Sequence, residues 1–390
     1  MISNTFPLHT MLNTETYDII VIGAGCAGLS FVSALNELSQ SSRILILEQA
    51  PSIDKVPNRT WSYWTSKPDE LKAYIWHEWQ RWSLSTHSKE ILSHSNELTY
   101  QSIKSDHYLP ALLEKIKKNK NITVLFEKKI DKLIYASKTK IVTRTVSEQW
   151  SSQWVIDTRP PNEEANFELI QSFKGQYIRS SKPIFNPNVF GLMDNIVCKD
   201  NIIKFTYLLP NNHYECLIET TFLHQPDKLP DIEYHLKKDL QRFGSHHPFK
   251  VIQSEHGRLP MTAKRFRQPK HKRHIKAGQS AGGLRPSSGY GFKRIIAWAQ
   301  LAAQTYHKHQ LIPYPNHHAF FSHKMDQIFL NTLKHMPEQA PTIFTALAEG
   351  LNGDEFGYFM MDKANISIWR KVIQALPTKT MLKGLTKSYA

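Results

Sequence analysis

Tyr17-Asp-Ile-Ile-Val-Ile22 runs straight into Gly23-Ala-Gly25-Cys-Ala-Gly28, and this junction decides the fold. The first residues form a short apolar run that reads as a buried strand. Behind the glycines, Leu29, Val32 and Leu35 keep helical spacing, with Phe31 and Leu38 alongside. Arg43-Ile-Leu-Ile-Leu47 reads as a second strand, closed by Glu48. Gly23 permits a tight turn, Gly25 lets the backbone approach a pyrophosphate, and Gly28 lets helix and strand pack closely. Free N–H groups at the helix start face the phosphates. Glu48 can accept hydrogen bonds from the hydroxyls of a non-phosphorylated ribose. Strand, glycines, helix, strand and acid in this order predict a dinucleotide-binding Rossmann unit, with Cys26 a small buried residue inside its loop.

The junction alone does not separate FAD from NAD. Two later stretches favour FAD: Trp154-Val-Ile-Asp157, a short strand ending in an acid, and the glycine-rich Ala277-Gly278-Gln-Ser-Ala-Gly282-Gly283. A chain that returns to its dinucleotide site after a long excursion suits a two-domain flavoprotein. Between the two lie a helix expected from about Pro110 to Lys118, then strands over Ile122–Glu127, Ile130–Tyr135 and Lys140–Thr145. Arg159–Ala165 reads as a polar linker. Ile202–Leu209 and Tyr214–Phe222 flank Asn211-Asn212 as a hairpin. From Tyr290 the pattern is mainly helical. The predicted class is α/β. A Rossmann-like FAD domain takes residues 16–160 and 250–310, with an inserted β-sheet substrate domain at 161–249. A helical region at 311–390 and a loose tail at 1–15 complete the chain.

Composition bounds the function. Hydrophobic residues are 41% and charged residues 21%, enough for a large core and inconsistent with a mostly disordered chain. Three cysteines exclude a disulfide scaffold and predict reduced, cytosolic thiols. No apolar run reaches the roughly 20 residues of a membrane span. No Lys or Arg precedes Arg43, so no basic signal region is expected. The formal charge of +15 predicts an anionic partner. No zinc-finger, KH or RRM pattern accompanies it, so nucleic acid is not expected. His246-His247 and His317-His318 lack ligand spacing, and no metal site is expected.

Beyond the junction, the chain resembles bacterial lycopene cyclases through an ordered set of motifs. Asn58-Arg59-Thr60-Trp61-Ser62 is similar to their Asn-x-Thr-Trp-Ser, and Leu192-Met-Asp194 to their Leu-Met-Asp. Phe205 to Pro210 is similar to their strand ending in Leu-Pro. Leu217-Ile-Glu219-Thr-Thr221 resembles Leu-Ile-Glu-Asp-Thr, and Glu255-His-Gly257-Arg-Leu-Pro260 resembles Glu-x-Gly-x-(Leu/Ile)-Pro. Ala281 to Tyr290 resembles Ala-Gly-x-x-His-Pro-x-Thr-Gly-Tyr, with Gly289 in the matching place. Thr220 departs from the second acid and Arg285 from the histidine.

The resemblance implies a glutathione-reductase/hydroxylase-type flavoprotein that cyclises the ψ-ends of lycopene to β-rings, giving γ-carotene and then β-carotene. It implies reduced FAD as cofactor and NAD(P)H as electron donor. Lycopene or a related carotenoid is the expected partner, beside an anionic membrane surface and other carotenoid-pathway enzymes. The expected location is cytoplasmic and peripherally membrane-associated. An FAD monooxygenase or polyprenyl reductase on the same scaffold, or a non-catalytic flavin scaffold, are the competing readings.

Acid-initiated cyclisation needs a carboxylic acid kept protonated in an apolar site. Strand alternation sets Glu219 among apolar neighbours, on the face opposite Cys216, Ile218 and Thr220. It is the expected proton donor, against the alternative of a solvated glutamate on an open sheet face. Glu255 and Asp194 are the other catalytic candidates. The expected cofactor contacts are Gly23, Gly25, Gly28, Glu48, Arg59, Asp157, Gly278, Gly282 and Gly289. Trp76, Trp79 and Trp82 recur every three residues, as a helix face on a core or as a membrane belt. The basic run from Lys264 to Lys276 is either a solvated loop or a contact for anionic lipid.

Overall fold

The computed structural model describes residues 15–66, 70–161, 167–244, 247–316 and 319–386. Residues 1–14 of the expected tail, 162–165 of the expected linker, His246, His317 and His318 lie outside the described residues.

Strand β1 (Thr16–Ile22) is buried along most of its length because it is a central strand of a parallel array. β2 (Ile44–Leu47) pairs with it on one side and β11 (Gln149–Asp157) on the other, both parallel. β8 (Ile122–Leu125) continues beyond β2, and β17 (His274–Lys276) joins the far end of β11. The antiparallel pair β9 (Lys132–Ser137) and β10 (Lys140–Arg144) completes this sheet. Helices α1 (Cys26–Leu38), α2 (Ser105–Lys117) and α4 (Phe292–His309) form one apolar core with it. Ala299, Ala302 and Ala303 of α4 are fully buried, and their small side chains suit its close approach to α1. Helix α2 begins before the expected Pro110. Burial of Tyr108 and Leu109 beside Leu112 and Ile116 holds the extra turn, at the cost of the one backbone donor that proline lacks.

A second sheet has the order β16 (Phe249–Met261), β12 (Leu169–Ser180), β15 (Glu215–His224), β14 (Ile202–Pro210), β13 (Val189–Lys199), β5 (Arg81–Thr86) and β6 (Glu90–His94). It therefore recruits β5 and β6 from well before residue 160. The hairpin expected around Asn211-Asn212 forms as β14 and β15. Helix α3 (Ile232–Gly244) covers one face, setting Leu236 and Leu240 against Ile178, Cys216 and Ile218. Helices α5 (Phe320–His335), α6 (Ala340–Gly350), α7 (Gly353–Met360), α8 (Ile366–Ala375) and α9 (Thr378–Thr386) belong with the opposite face. There Leu330, Ile343 and Leu347 share a core with Leu192, Phe205 and Leu217. A three-stranded sheet, β3 (Thr60–Ser66), β7 (Leu98–Lys104) and β4 (Ile75–Trp79), completes the fold. Among the described residues, no helix is long and apolar enough to cross a membrane.

The tryptophan stripe is neither a helix face nor a membrane belt. Trp76 and Trp79 lie on β4, and Trp82 lies on β5. Their spacing of three spans a strand, a turn and the next strand, so it carries no helical meaning. Trp79 packs on Phe190 at 5.4 Å and Trp82 on Phe356 at 4.4 Å, and both are buried.

Arg285 ties the second glycine segment to the C-terminal helices. It is 1% exposed, donates to Asp326 of α5 at 3.2 and 3.3 Å, and donates to the Phe359 carbonyl of α7. Its departure from the family's histidine thus supplies an ion pair to α5. Arg285→Met should leave the buried Asp326 with the Ser287 hydroxyl but without its arginine, and cost about 3–5 kcal/mol in urea unfolding. Adding Asp326→Leu should recover most of that loss. A single variant with the wild-type midpoint would show that this ion pair is dispensable.

Candidate active site

Strands β1, β11 and β17 all point their C-terminal ends at one cavity of about 550 Å³. This is where open α/β sheets place ligands. Gly23 takes φ +105°, which the turn requires of a glycine. A Cβ on Gly28 would strike the Gly23 carbonyl and stand 3.0 Å from Val21, as expected for close helix–strand packing. A Cβ on Gly25 would meet nothing within 4 Å, because Gly25 opens onto the cavity. No side chain caps the start of α1. The loop therefore offers a bare backbone cradle and a helix N-terminus, which fits a dinucleotide pyrophosphate.

Glu48 is buried and braces this loop. Its two oxygens accept from Ala24 N at 2.7 Å and Ala50 N at 2.8 Å, leaving lone pairs for ribose hydroxyls. Cys26 lines the cavity, and burial pushes its thiol up to about 12, so it stays protonated. Gly278 lies beside α1, where its Cβ would be 3.4 Å from Ala27, and Gly289 lines the same cavity. Both take positive φ, as does Gly282, which ends the short turn over Gly278–Ala281 without lining the cavity.

Asp157 stands behind the cavity wall. Burial alone would raise its pKa, but His274 and Arg159 outweigh that and hold the carboxyl below the ordinary range. Arg159 Nη2 lies 2.7 Å from it. The acid fixes the end of β11, and its neighbour Thr158 lines the cavity instead.

At the other end of the cavity, four residues form one row across the large sheet. Tyr207 on β14 faces Glu219 on β15; Glu219 faces Gly175 on β12; Gly175 faces Glu255 on β16. A Cβ on Gly175 would stand 3.1 Å from both Glu219 Cβ and Leu217 Cδ1, so its absence gives the two acids room. Glu219 and Glu255 are both buried. Burial, then the charge of Glu255 and a hydrogen bond with it, raise the Glu219 pKa well above the glutamate range. Burial raises Glu255 too, but the hydrogen bond with Glu219 and the Thr60 hydroxyl at 2.8 Å oppose this. The pair thus favours holding one proton, with Glu219 the more strongly raised of the two.

Arg59 lines the cavity beside the pair. Burial lowers its pKa while the charges of Glu255 and Glu219 support its own. Tyr100, Tyr207 and Tyr290 also line the cavity, and the Tyr100 and Tyr290 hydroxyls are 3.0 Å apart. Burial raises all three phenols, so they stay neutral. The alternation of β15 alone did not single out these tyrosines, because three distant segments deliver them.

The candidate Asp194 and the motif departure Thr220 both stand apart from the pair. Asp194 accepts from Ser85 at 2.7 Å and pairs with Arg242 at 2.8 Å, lining neither this cavity nor its apolar neighbour. Thr220 faces α3, where its hydroxyl donates to Asp239 at 2.6 Å beside Lys204. Its departure from the family motif lies on the sheet face away from Glu219. Among the described residues, no cluster of His, Cys, Asp or Glu could hold a metal ion.

The fold and this site define the class of dinucleotide-dependent flavoprotein-like enzymes. The model of the lycopene cyclase protein family matches residues 18–349, and the chain belongs to that family. No curated protein gives a significant sequence match. Among solved structures, a geranylgeranyl bacteriochlorophyll reductase-like protein from Thermoplasma acidophilum is 16% identical, with a TM-score of 0.60 over 96% of this chain and 100% of the other. A flavoprotein/dehydrogenase from Cytophaga hutchinsonii is 13% identical, with a TM-score of 0.58 over 96% and 98%. A halogenase solved with FAD is 12% identical, with a TM-score of 0.51 over 88% and 79%. At these identities the likeness is one of fold.

Gly25→Val should fold normally yet lose flavin absorbance after reconstitution with FAD, because its side chain enters the cavity. Gly28→Val should instead yield insoluble protein, because its side chain meets backbone. A flavinated Gly25→Val would contradict the cradle.

Glu219 also sets a pH dependence. The folded state keeps a proton that the unfolded state loses above about pH 4.3, so stability falls as pH rises through the window up to the raised folded pKa. Glu219→Gln should remove this slope. Its gain in melting temperature over wild type should grow from pH 5 to pH 8, and parallel profiles would refute the proton assignment.

Proposed function

We propose that the chain is a lycopene β-cyclase that uses FAD without net redox change. The observation that carries this reading is the buried Glu219–Glu255 pair, whose Glu219 lines the same cavity as the dinucleotide cradle. Gly23, Gly25, Gly28, Glu48, Thr158, Gly278 and Gly289 would hold FAD, with Arg59 at the end nearer the acids. Reduced FAD would supply negative charge against a developing cation, and NAD(P)H would supply the electrons that keep it reduced.

Glu219 gives its proton to the terminal double bond of the polyene, and the positive charge moves to the adjoining tertiary carbon. The next double bond attacks that carbon and closes the six-membered ring. A proton then leaves the ring carbon, and the Glu219 carboxylate, now ionised, takes it back. Proton number and redox state are both restored. Arg59 offsets the charge left on the pair. The faces of Tyr207, Tyr100 and Tyr290 favour a nearby cation by roughly 0.5–2 kcal/mol each. Their buried rings also exclude water that would quench it.

A monooxygenase or polyprenyl reductase would consume one reductant per turnover, whereas a cyclase turns over many substrates per reductant. Glu219→Gln keeps size and polarity but removes the transferable acid proton. It should retain FAD while lycopene cyclisation with pre-reduced flavin falls about 100-fold or more. Near-normal turnover in that assay would move the acid role away from Glu219.

A further inference from the structure

A second, apolar cavity lies between the large sheet and the C-terminal helices. It shares Gln171, Tyr207, Ser288 and Tyr290 with the acid-bearing cavity, so the two lie back to back. Five methionines line it: Met193, Met261, Met325, Met360 and Met381. Such unbranched side chains reshape readily around an elongated apolar ligand.

Trp369 of α8 lines this cavity and is also partly exposed. Its ring contacts Phe359 at 5.3 Å on the cavity side and Phe321 of α5 at 5.0 Å. Trp369 thus stands between the cavity and the surface of α8. Outside it stand Phe320, 75% exposed, and Phe321, 50% exposed, at the start of α5. On α8 the apolar stripe does not end at the buried Ile368 and Val372. It continues through Trp369 to Ile373 and Ile366, 47% and 82% exposed. The aromatic and aliphatic side chains on the two helices thus form one exposed patch at the cavity wall.

The nearby acids are already paired, Glu355 with Lys371 and Asp362 with Arg294, so the charge left over on α8 and α9 is basic. Residues 363–386 carry five basic side chains and no acidic one. Arg370 follows Ile366 by one helical turn, next to the apolar stripe. Across α5, His323 feels the charge of Arg265, so the exposed start of the basic 264–276 loop reaches the same end of the molecule.

We propose that this patch, Phe320, Phe321, Ile366 and Ile373 with Arg370, Lys264 and Arg265 around it, docks on an anionic lipid bilayer and admits an apolar substrate from the bilayer into the methionine-lined cavity. Aromatic and aliphatic side chains enter the headgroup boundary while basic ones meet lipid phosphates. The docking face is argued from the patch itself. Only the nature of the cargo rests on the proposed cyclase reading.

The test is flotation of the full chain with phosphatidylcholine vesicles, pure or mixed with phosphatidylglycerol. Wild type should float with the mixed vesicles and much less with the pure ones. Ile366→Glu/Ile373→Glu should lower binding to mixed vesicles at least about tenfold, since it removes apolar contact and adds repulsion. Lys264→Glu/Arg265→Glu, altering only exposed loop residues, should lower it by a similar factor and serves if the first variant unfolds. Hydrogen exchange on mixed vesicles should slow over 320–324 and 366–373. Unchanged binding by both variants overturns the proposal, as does wild type that fails to float. A dimer dissociated by Ile366→Glu/Ile373→Glu, without vesicle binding, assigns the patch to a second copy and also overturns it. Because the readout is binding, a protein that floats as expected yet does not cyclise lycopene refutes the cyclase reading and leaves the docking face intact.

Discussion

Two carboxylates buried on either side of β12 resist being charged together at rest, and the active site is arranged around that constraint. In a low-dielectric sheet the ionised form of each acid loses solvation and repels the other. The pair therefore favours holding one proton. Gly175 leaves space between the acids, Thr60 donates to Glu255, and Arg59 faces the remaining negative charge. These contacts select which acid ionises. Thr60 donates to Glu255 and Thr221 to Glu219, and burial with the charge of Glu255 raises Glu219 the more, on the side that faces Tyr207.

The same constraint explains the scaffold around the pair. A protonated carboxylic acid persists only where water is excluded, so both faces of the large sheet must be covered. Helix α3 does this behind Glu219 through Leu236 and Leu240. The C-terminal helices do it on the other side and leave the apolar cavity between themselves and the sheet. Arg285 joins those helices to the glycine segment that bounds the cofactor cavity, through a buried ion pair with Asp326.

The molecule also divides its charge by depth. Buried basic groups are matched with acids, as Lys204 is with Asp239 and Arg285 with Asp326. Much of the excess lies on exposed segments such as the 264–276 loop and helices α8 and α9. A formal charge of +15 is therefore compatible with a neutralised interior.

The sequence by itself determined the dinucleotide junction, because Gly23, Gly25, Gly28 and Glu48 act through local backbone geometry within one βαβ turn. It also determined the face of β15 that carries Glu219, because strand alternation is a local rule. It did not determine which acid would partner Glu219. Asp194 and Glu255 stood as equals in the chain, and only sheet register sets Glu255 in the row and Asp194 with Arg242. The tryptophan spacing misled for a related reason: β4 is fixed by pairing with the distant β7, not by its own period. Tyr100, Tyr207 and Tyr290 could not be grouped from sequence, since long-range strand pairing and the packing of a late loop bring them together. Local chemistry is written in neighbouring residues. The site is written in register and packing, which depend on segments up to two hundred residues apart.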